Sequence, residues 1–373
     1  MLDKRRSRLA AANSLWASPF AWALASVPVS TAVGYLTPER HVLVFATSVM
    51  AILPLAACIG VATEALADRL GGGIGGLLNA TFGNAAELII GILALREGLP
   101  NLVKASLTGS IIGNVLLVFG ASAFIGGLRR PVQRFNRTAA SLGTTMLLLS
   151  AIGLIVPAVF HYLVRGSRTP ELTLDTEIAA VLLATYCISL VFTLRTHREH
   201  YGVSKVGAHP PASGASQRSR GTGQWVLLLL AATAGVAVVS ELLVGSITET
   251  ARTFGMTELF VGVVVVAFVG NAAEHYSAVV LAARDQMDAA MAIAVGSSTQ
   301  IALFVGPLLV FLSYAIGPRP MDLLFTVFEL VSIAIAVLSI AFIAHDGETH
   351  WMEGAQLLAT YVILALGFYF LPS

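Results

Sequence analysis

Eleven stretches of this chain are each about as long and as apolar as a helix that crosses a lipid bilayer, which takes about 20 residues. They run over Leu15–Leu36, His41–Leu66, Leu77–Leu95, Leu102–Gly126, Thr138–Leu163, Thr173–Leu194, Gln224–Ser246, Glu258–Ala282, Ala289–Ile316, Asp322–Ala344 and Met352–Phe370. Runs of this length exclude the short alternating strands of an outer-membrane barrel. A helix satisfies its own backbone polar groups in lipid, so each run is expected to be helical. Composition agrees: of 373 residues 56% are hydrophobic and 12% charged, where soluble domains carry about 25% charge. An all-α polytopic membrane protein is the expected fold class. The formal net charge of +1 points to no partner, and nothing supports nucleic-acid binding. Cys58 and Cys187 sit in apolar runs of different spans, where packing explains them better than a disulfide or a thiolate metal site.

Within this frame one motif occurs twice. Gly83-Asn84-Ala85-Ala86-Glu87 returns unchanged as Gly270-Asn271-Ala272-Ala273-Glu274, 187 positions later, and the same offset carries Gly109-Ser110 to Gly296-Ser297. The chain therefore reads as one unit made twice, a common construction among secondary transporters. One span is extra at the front, which leaves five per unit. An odd number inverts the second copy, so the third and eighth spans are expected to run antiparallel.

Basic residues orient the bundle. With a cytoplasmic amino terminus, fifteen Lys and Arg fall on that side and seven opposite, the distribution the positive-inside rule favours. Lys4 to Arg8 followed by Ala23-Leu24-Ala25 also resembles a cleavable secretory signal, although the apolar run continues to Leu36 and is long enough to span. The expected organisation is a basic tail and first helix over 1–40, a first five-helix repeat over 41–195, a cytoplasmic linker over 196–223 rich in Pro, Gly and Ser, and a second repeat over 224–373.

A carboxylate in hydrocarbon costs about 2.5 kcal/mol or more, so Glu87 and Glu274 are expected to mark the path of something positive. On a continuous helix Asn84 and Glu87 share a face, with Thr81 one turn earlier, and Asn271, Glu274 and Ser277 form the matching stripe. Ser110 and Asn114 add oxygen from the fourth span, and Ser297, Ser298, Thr299 and Gln300 from the ninth. Interhelical bonding alone could explain the asparagines, and close packing or local unwinding the glycines beside them. Two carboxylates with amide and hydroxyl oxygens and no thiolate suit a hard cation, calcium before magnesium, with manganese open. His275 points about 100° away from Glu274 and is expected to pack behind the site rather than to ligate.

Two facing glutamates in a poorly hydrated cavity repel and are badly solvated, so a proton or a divalent cation must neutralise them. If the protein changes its open side only when that charge is neutralised, calcium exchanges for protons.

The run Leu77-Leu78-Asn79-Ala80-Thr81-Phe82 before the first motif, and Gly296-Ser297-Ser298-Thr299-Gln300-Ile301 after the second, resemble the calcium/proton exchangers of the cation/calcium antiporter superfamily. The resemblance covers the chain from His41 onward. It implies one extra helix before two inverted five-helix repeats, Glu87 and Glu274 as calcium and proton carriers, and Asn84, Asn271, Ser110, Ser297 and Gln300 lining the site. It also implies that Glu64 and Glu241 lie along the access route, with Glu329 a weaker candidate. The family often carries an acidic segment between its halves. The linker here is basic, so calcium regulation through it is not expected. Calcium would be a transported substrate, with protons and the bilayer as the other partners and no cofactor. The expected location is a prokaryotic inner membrane. Sodium-coupled calcium exchange and a passive cation channel are the rival readings. A membrane enzyme lacks support, because no nucleophile with a base and no phosphate loop lies near the glutamates.

Overall fold

A computed structural model describes residues 23–70, 77–78, 81–164, 168–196 and 221–371. The start of the first expected span, part of the third and nearly all of the linker lie outside the described residues. The helices are α1 (Ser26–Leu36), α2 (His41–Leu70), α3 (Ala85–Arg96), α4 (Pro100–Gly127), α5 (Arg137–Val164) and α6 (Leu172–Thr196) in the first half. In the second half they are α7 (Thr222–Thr253), α8 (Glu258–Gly270), α9 (Ala272–Ala283), α10 (Met287–Ile316), α11 (Val327–Asp346) and α12 (Trp351–Phe370). Among the described residues eight helices are long and apolar enough to cross a membrane, and a ninth if α8 and α9, bent by 63° to one another, count as one. Cys58 and Cys187 are free thiols.

Irregularities in the backbone recur at the spacing of the motif. α3 and α9 are each 12 residues long and begin 187 positions apart, after Asn84 and Asn271. Both are followed by a residue in the left-handed region, Gly98 at φ 73° and Asp285 at φ 68°. Glycine adopts that conformation freely, whereas an L side chain is strained there by about 1 kcal/mol. One turn of π-helix interrupts α4 at Gly113–Val118 and α10 at Ile301–Val305, again near the same offset.

Side chains tie the loops together at both ends of the bundle. At the arginine-rich end, β1 (Gln133–Arg134) pairs antiparallel with β2 (Glu348–Thr349). Here Arg130 meets Asp285 at 3.1 Å, Arg134 meets Glu348 at 3.0 Å, and Gln133 donates to the Ala282 carbonyl at 3.3 Å. Lipid offers no partner to an unpaired backbone group, and the opposite end shows how the chain answers this. The segment before α11 has no regular secondary structure, with Met321 and Leu323 buried. The Met321 amide donates to Ser313 at 2.8 Å and the Leu323 amide to Asp175 at 3.2 Å. Lys104, buried in α4, donates to Asp322 at 2.7 Å and to the Leu324 carbonyl at 2.8 Å.

This corrects the tenth span, expected from Asp322. Its helix begins at Val327, where Thr326 and Glu329 form a capping box. Glu329 also accepts from Thr108 at 3.2 Å, so both carboxylate oxygens are occupied by local structure. Asp322→Ala is expected to strand the Lys104 ammonium on a single carbonyl. Removing one partner of a buried pair costs about 3 kcal/mol, reduced here because the Asp322 side chain is 39% exposed. A drop of several degrees in the thermal unfolding transition of the detergent-solubilised protein checks this, and an unchanged transition refutes it.

Candidate cation site between the two motifs

Each motif breaks its helix. Asn84 (φ −106°, ψ 25°) and Asn271 (φ −94°, ψ 4°) are N-caps of α3 and α9, and the glutamates stand at the third helical position. The continuous stripe expected from Thr81 through Glu87 is therefore interrupted. Thr81 donates to the Leu77 carbonyl at 2.9 Å on the preceding turn. A Gly-Asn pair in an apolar run reads as helix, and the interruption appears only when the asparagine side chains find partners elsewhere.

The spacing Asn-x-x-Glu is that of a capping box, in which side chain and backbone bond reciprocally. Neither asparagine makes a cap bond. The amides point instead into a network shared by both halves. Asn84 donates to Gln300 at 2.5 Å and accepts from Ser297 at 3.5 Å. Asn271 donates to Ser110 at 2.9 Å and accepts from Ser297 at 3.4 Å. Each asparagine thus meets the serine of the other half's Gly-Ser pair. Asn84, Asn271, Ser110 and Ser297 are all at most 5% exposed.

Glu87 is buried and Glu274 half-buried, and Glu87 lies within electrostatic reach of Glu274. A Cβ on Gly270 would lie 3.0 Å from Glu87 Oε1, so glycine is what lets the carboxylate of one motif rest against the backbone of the other. Oε2 of each glutamate is buried without a hydrogen-bond partner. Lone carboxylate oxygens in such a place are costly until a cation or proton arrives. The positive end of each short helix favours the negative charge but leaves that oxygen unfilled. Beside Glu87 a small cavity, open to the centre of about one water molecule, is lined by Ser106, Ser110, Leu102 and Val266. Among the described residues no three His, Cys, Asp or Glu side chains cluster, so a cation here would be held by two carboxylates and neutral oxygens.

Asn114, expected only to add oxygen from the fourth span, sits inside the network. It donates to Ser297 at 3.1 Å and to Asn271 at 3.4 Å. Its Oδ1 faces His275 Nε2 at 3.2 Å, which places His275 behind the network. The signal was available, since Asn114 follows Ser110 by four residues and shares its face. Of the expected access residues, Glu64 is half-buried on α2 and Glu241 is exposed on α7.

The sodium/calcium exchanger protein family matches residues 40–195 and 224–370. A protein of Synechocystis sp. named Ca(2+)/H(+) antiporter is 46% identical over 341 residues, covering 88% of this chain and 91% of its own. The Ca(2+)/H(+) antiporter ChaA of Bacillus subtilis is 44% identical over 353 residues, 93% of this chain and 97% of that one. Among solved structures, native YfkE superposes with a TM-score of 0.80 at 42% identity, covering 94% of this chain and 100% of that chain. The H+/Ca2+ exchanger CAX superposes at 0.71 with 16% identity over 94% of this chain and 91% of its own, which is a likeness of fold.

Proposed function

The chain belongs to the sodium/calcium exchanger protein family, and from that premise we propose that it exchanges calcium for protons across a membrane by alternating access, with Glu87 and Glu274 as the shared carriers. Its relatives named Ca(2+)/H(+) antiporter support the substrates. The observation that carries the site is the pair of buried, unpartnered glutamate oxygens at the interrupted helix starts.

In this reading Asn84, Asn271, Ser110, Ser297 and Gln300 supply neutral oxygens, and Asn114 and His275 hold that shell in place. Calcium takes six to eight oxygens in flexible geometry, which suits such a mixed set. Protons and calcium compete for the same two carboxylates. Moving the empty, doubly charged site through the membrane interior is costly, so the passage is closed to the bare form and leak is suppressed. The finer architecture of the proposal is one extra helix before two five-helix repeats of opposite orientation, eleven spans in all. The shared offset of helix starts, left-handed residues and π-turns supports it. The arginine-rich end is assigned to the cytoplasm of a prokaryotic inner membrane, with the amino terminus on that side.

Calcium uptake into proteoliposomes holding the purified chain is expected to follow an imposed pH gradient in the absence of sodium, and to vanish when the gradient is collapsed. Uptake that needs a sodium gradient instead would move the chain to the sodium-coupled reading that the family name also covers. Flux that never drives protons uphill would make it a channel.

A further inference from the structure

Helices α2 and α7 carry a second repeat, at a different offset from the first. Val61-Ala62-Thr63-Glu64-Ala65-Leu66 aligns with Val238-Val239-Ser240-Glu241-Leu242-Leu243, 177 positions on. Burial follows the same register. Ile52, Leu55, Ile59, Ala62, Thr63 and Leu66 are buried, and so is the residue 177 positions after each of them. Thr63 and Ser240 are therefore equivalent, at 1% and 0% exposure.

Both hydroxyls lack a hydrogen-bond partner. That is unusual for a helix in lipid, where a Ser or Thr hydroxyl is readily satisfied by the carbonyl three or four residues back. Thr47, Thr176, Thr233, Ser246, Ser277 and Ser298 all bond in that way. Ser122 and Thr250 are also buried without partners, but at the offset that aligns α2 with α7 Thr250 meets Gly73, and at the offset of the motif Ser122 meets Leu309. A buried unsatisfied hydroxyl is unfavourable. Finding two at matched positions points to a partner that comes and goes.

Their places in the bundle say which partner. α2 packs on α8 and α9, which carry Asn271 and Glu274, while α7 packs on α3, which carries Glu87. α2 and α7 run antiparallel. Gly235 packs on Leu55 and Gly34 on Leu242, and Ser30 bonds Ser48 across the α1–α2 hairpin. From that crossing Thr63 lies eight residues, about 12 Å, toward the arginine-rich end, and Ser240 five residues, about 7.5 Å, toward the opposite end.

We infer that Thr63 and Ser240 are a matched pair of gate ligands for a hard divalent cation, each offering a free hydroxyl oxygen on one side of the Glu87 and Glu274 site. The inference rests on the proposed site and extends it along the path. The cation meets one hydroxyl on each side of the glutamates and sheds water stepwise rather than all at once.

The test measures the calcium dependence of proton-coupled uptake in membrane vesicles of both orientations. Thr63→Val is expected to raise the half-saturating calcium about five-fold, equivalent to about 1 kcal/mol, when calcium is presented at the arginine-rich face, and to leave the opposite face unaltered. Ser240→Ala is expected to do the reverse. Thr63→Ser and Ser240→Thr restore the hydroxyl and are expected to restore the affinity. A lowered thermal unfolding transition with no sided change in calcium dependence would make the hydroxyls structural and overturn the inference. So would unaltered calcium dependence at both faces while Glu87→Gln is inactive, an outcome that leaves the proposed function standing. Normal exchange by Glu87→Gln and Glu274→Gln would instead overturn the site on which the inference is built.

Discussion

Glu87→Gln and Glu274→Gln are each expected to abolish the proposed exchange, a loss of at least about a hundred-fold in the initial rate of calcium uptake driven by a pH gradient. Glutamine keeps the shape and the hydrogen-bonding capacity of the side chain and removes both the charge and the proton it can carry. One remaining carboxylate would leave a divalent cation half neutralised beside buried oxygens. Removing one partner of a buried charge pair costs about 3–5 kcal/mol, and about 1.4 kcal/mol is a factor of ten. The effect is therefore large even at the lower figure. Both substitutions should leave the fold intact, because glutamine fills the same space and Oε2 of each glutamate has no hydrogen-bond partner to lose. A monodisperse, thermally stable protein without transport is the expected pair of results. Wild-type uptake by either variant would show that the carboxylates are not the carriers.

The second large effect separates two glycines that the sequence presents as twins. A Cβ on Gly109 would lie 2.0 Å from the Val263 carbonyl oxygen and 2.6 Å from Val263 Cα. Both obstacles are backbone, so no rotamer change relieves the clash and α4 must move away from α8. Overpacking of this kind costs about 1–3 kcal/mol even when side chains can adjust. Gly109→Ala is expected to lower the thermal unfolding transition by about 5 °C or more. Around Gly296 no described atom lies within 4 Å of an added Cβ. Gly296→Ala is expected to stay within about 1 °C of the parent protein. Equal effects at the two positions would contradict the packing of α4 on α8.

Much of the fold was legible because its strongest determinant, apolar length, is written directly in the sequence. The runs that became α2, α4, α5, α6, α7, α10 and α12 were placed to within a few residues, apart from the carboxyl end of α7. The tenth span was started too early because Leu323, Leu324 and Phe325 continue the apolar run. What stops the helix there is a distant lysine, Lys104, holding Asp322 and the Leu324 carbonyl. In the candidate site, the repeated motif singles out Glu87 and Glu274, each with one oxygen buried and unpartnered. The interruptions at Asn84 and Asn271 were not legible, since they depend on partners more than 150 positions away along the chain. The second repeat, around Thr63 and Ser240, was hidden by arithmetic. The second half holds ten more residues between this segment and its Gly-Asn motif than the first half does, so a search at one fixed offset passes over it.

The π-turns in α4 and α10 reach beyond mechanism. A π-turn is a rare local widening of an α-helix, frequent at functional sites, and others lie at Phe192–Thr196 in α6 and Val261–Val266 in α8. In α4 and α10 it falls at matching positions of the two halves. Matched π-turns are what a chain built from two copies of one unit would carry, and they add to the case for the proposed repeats.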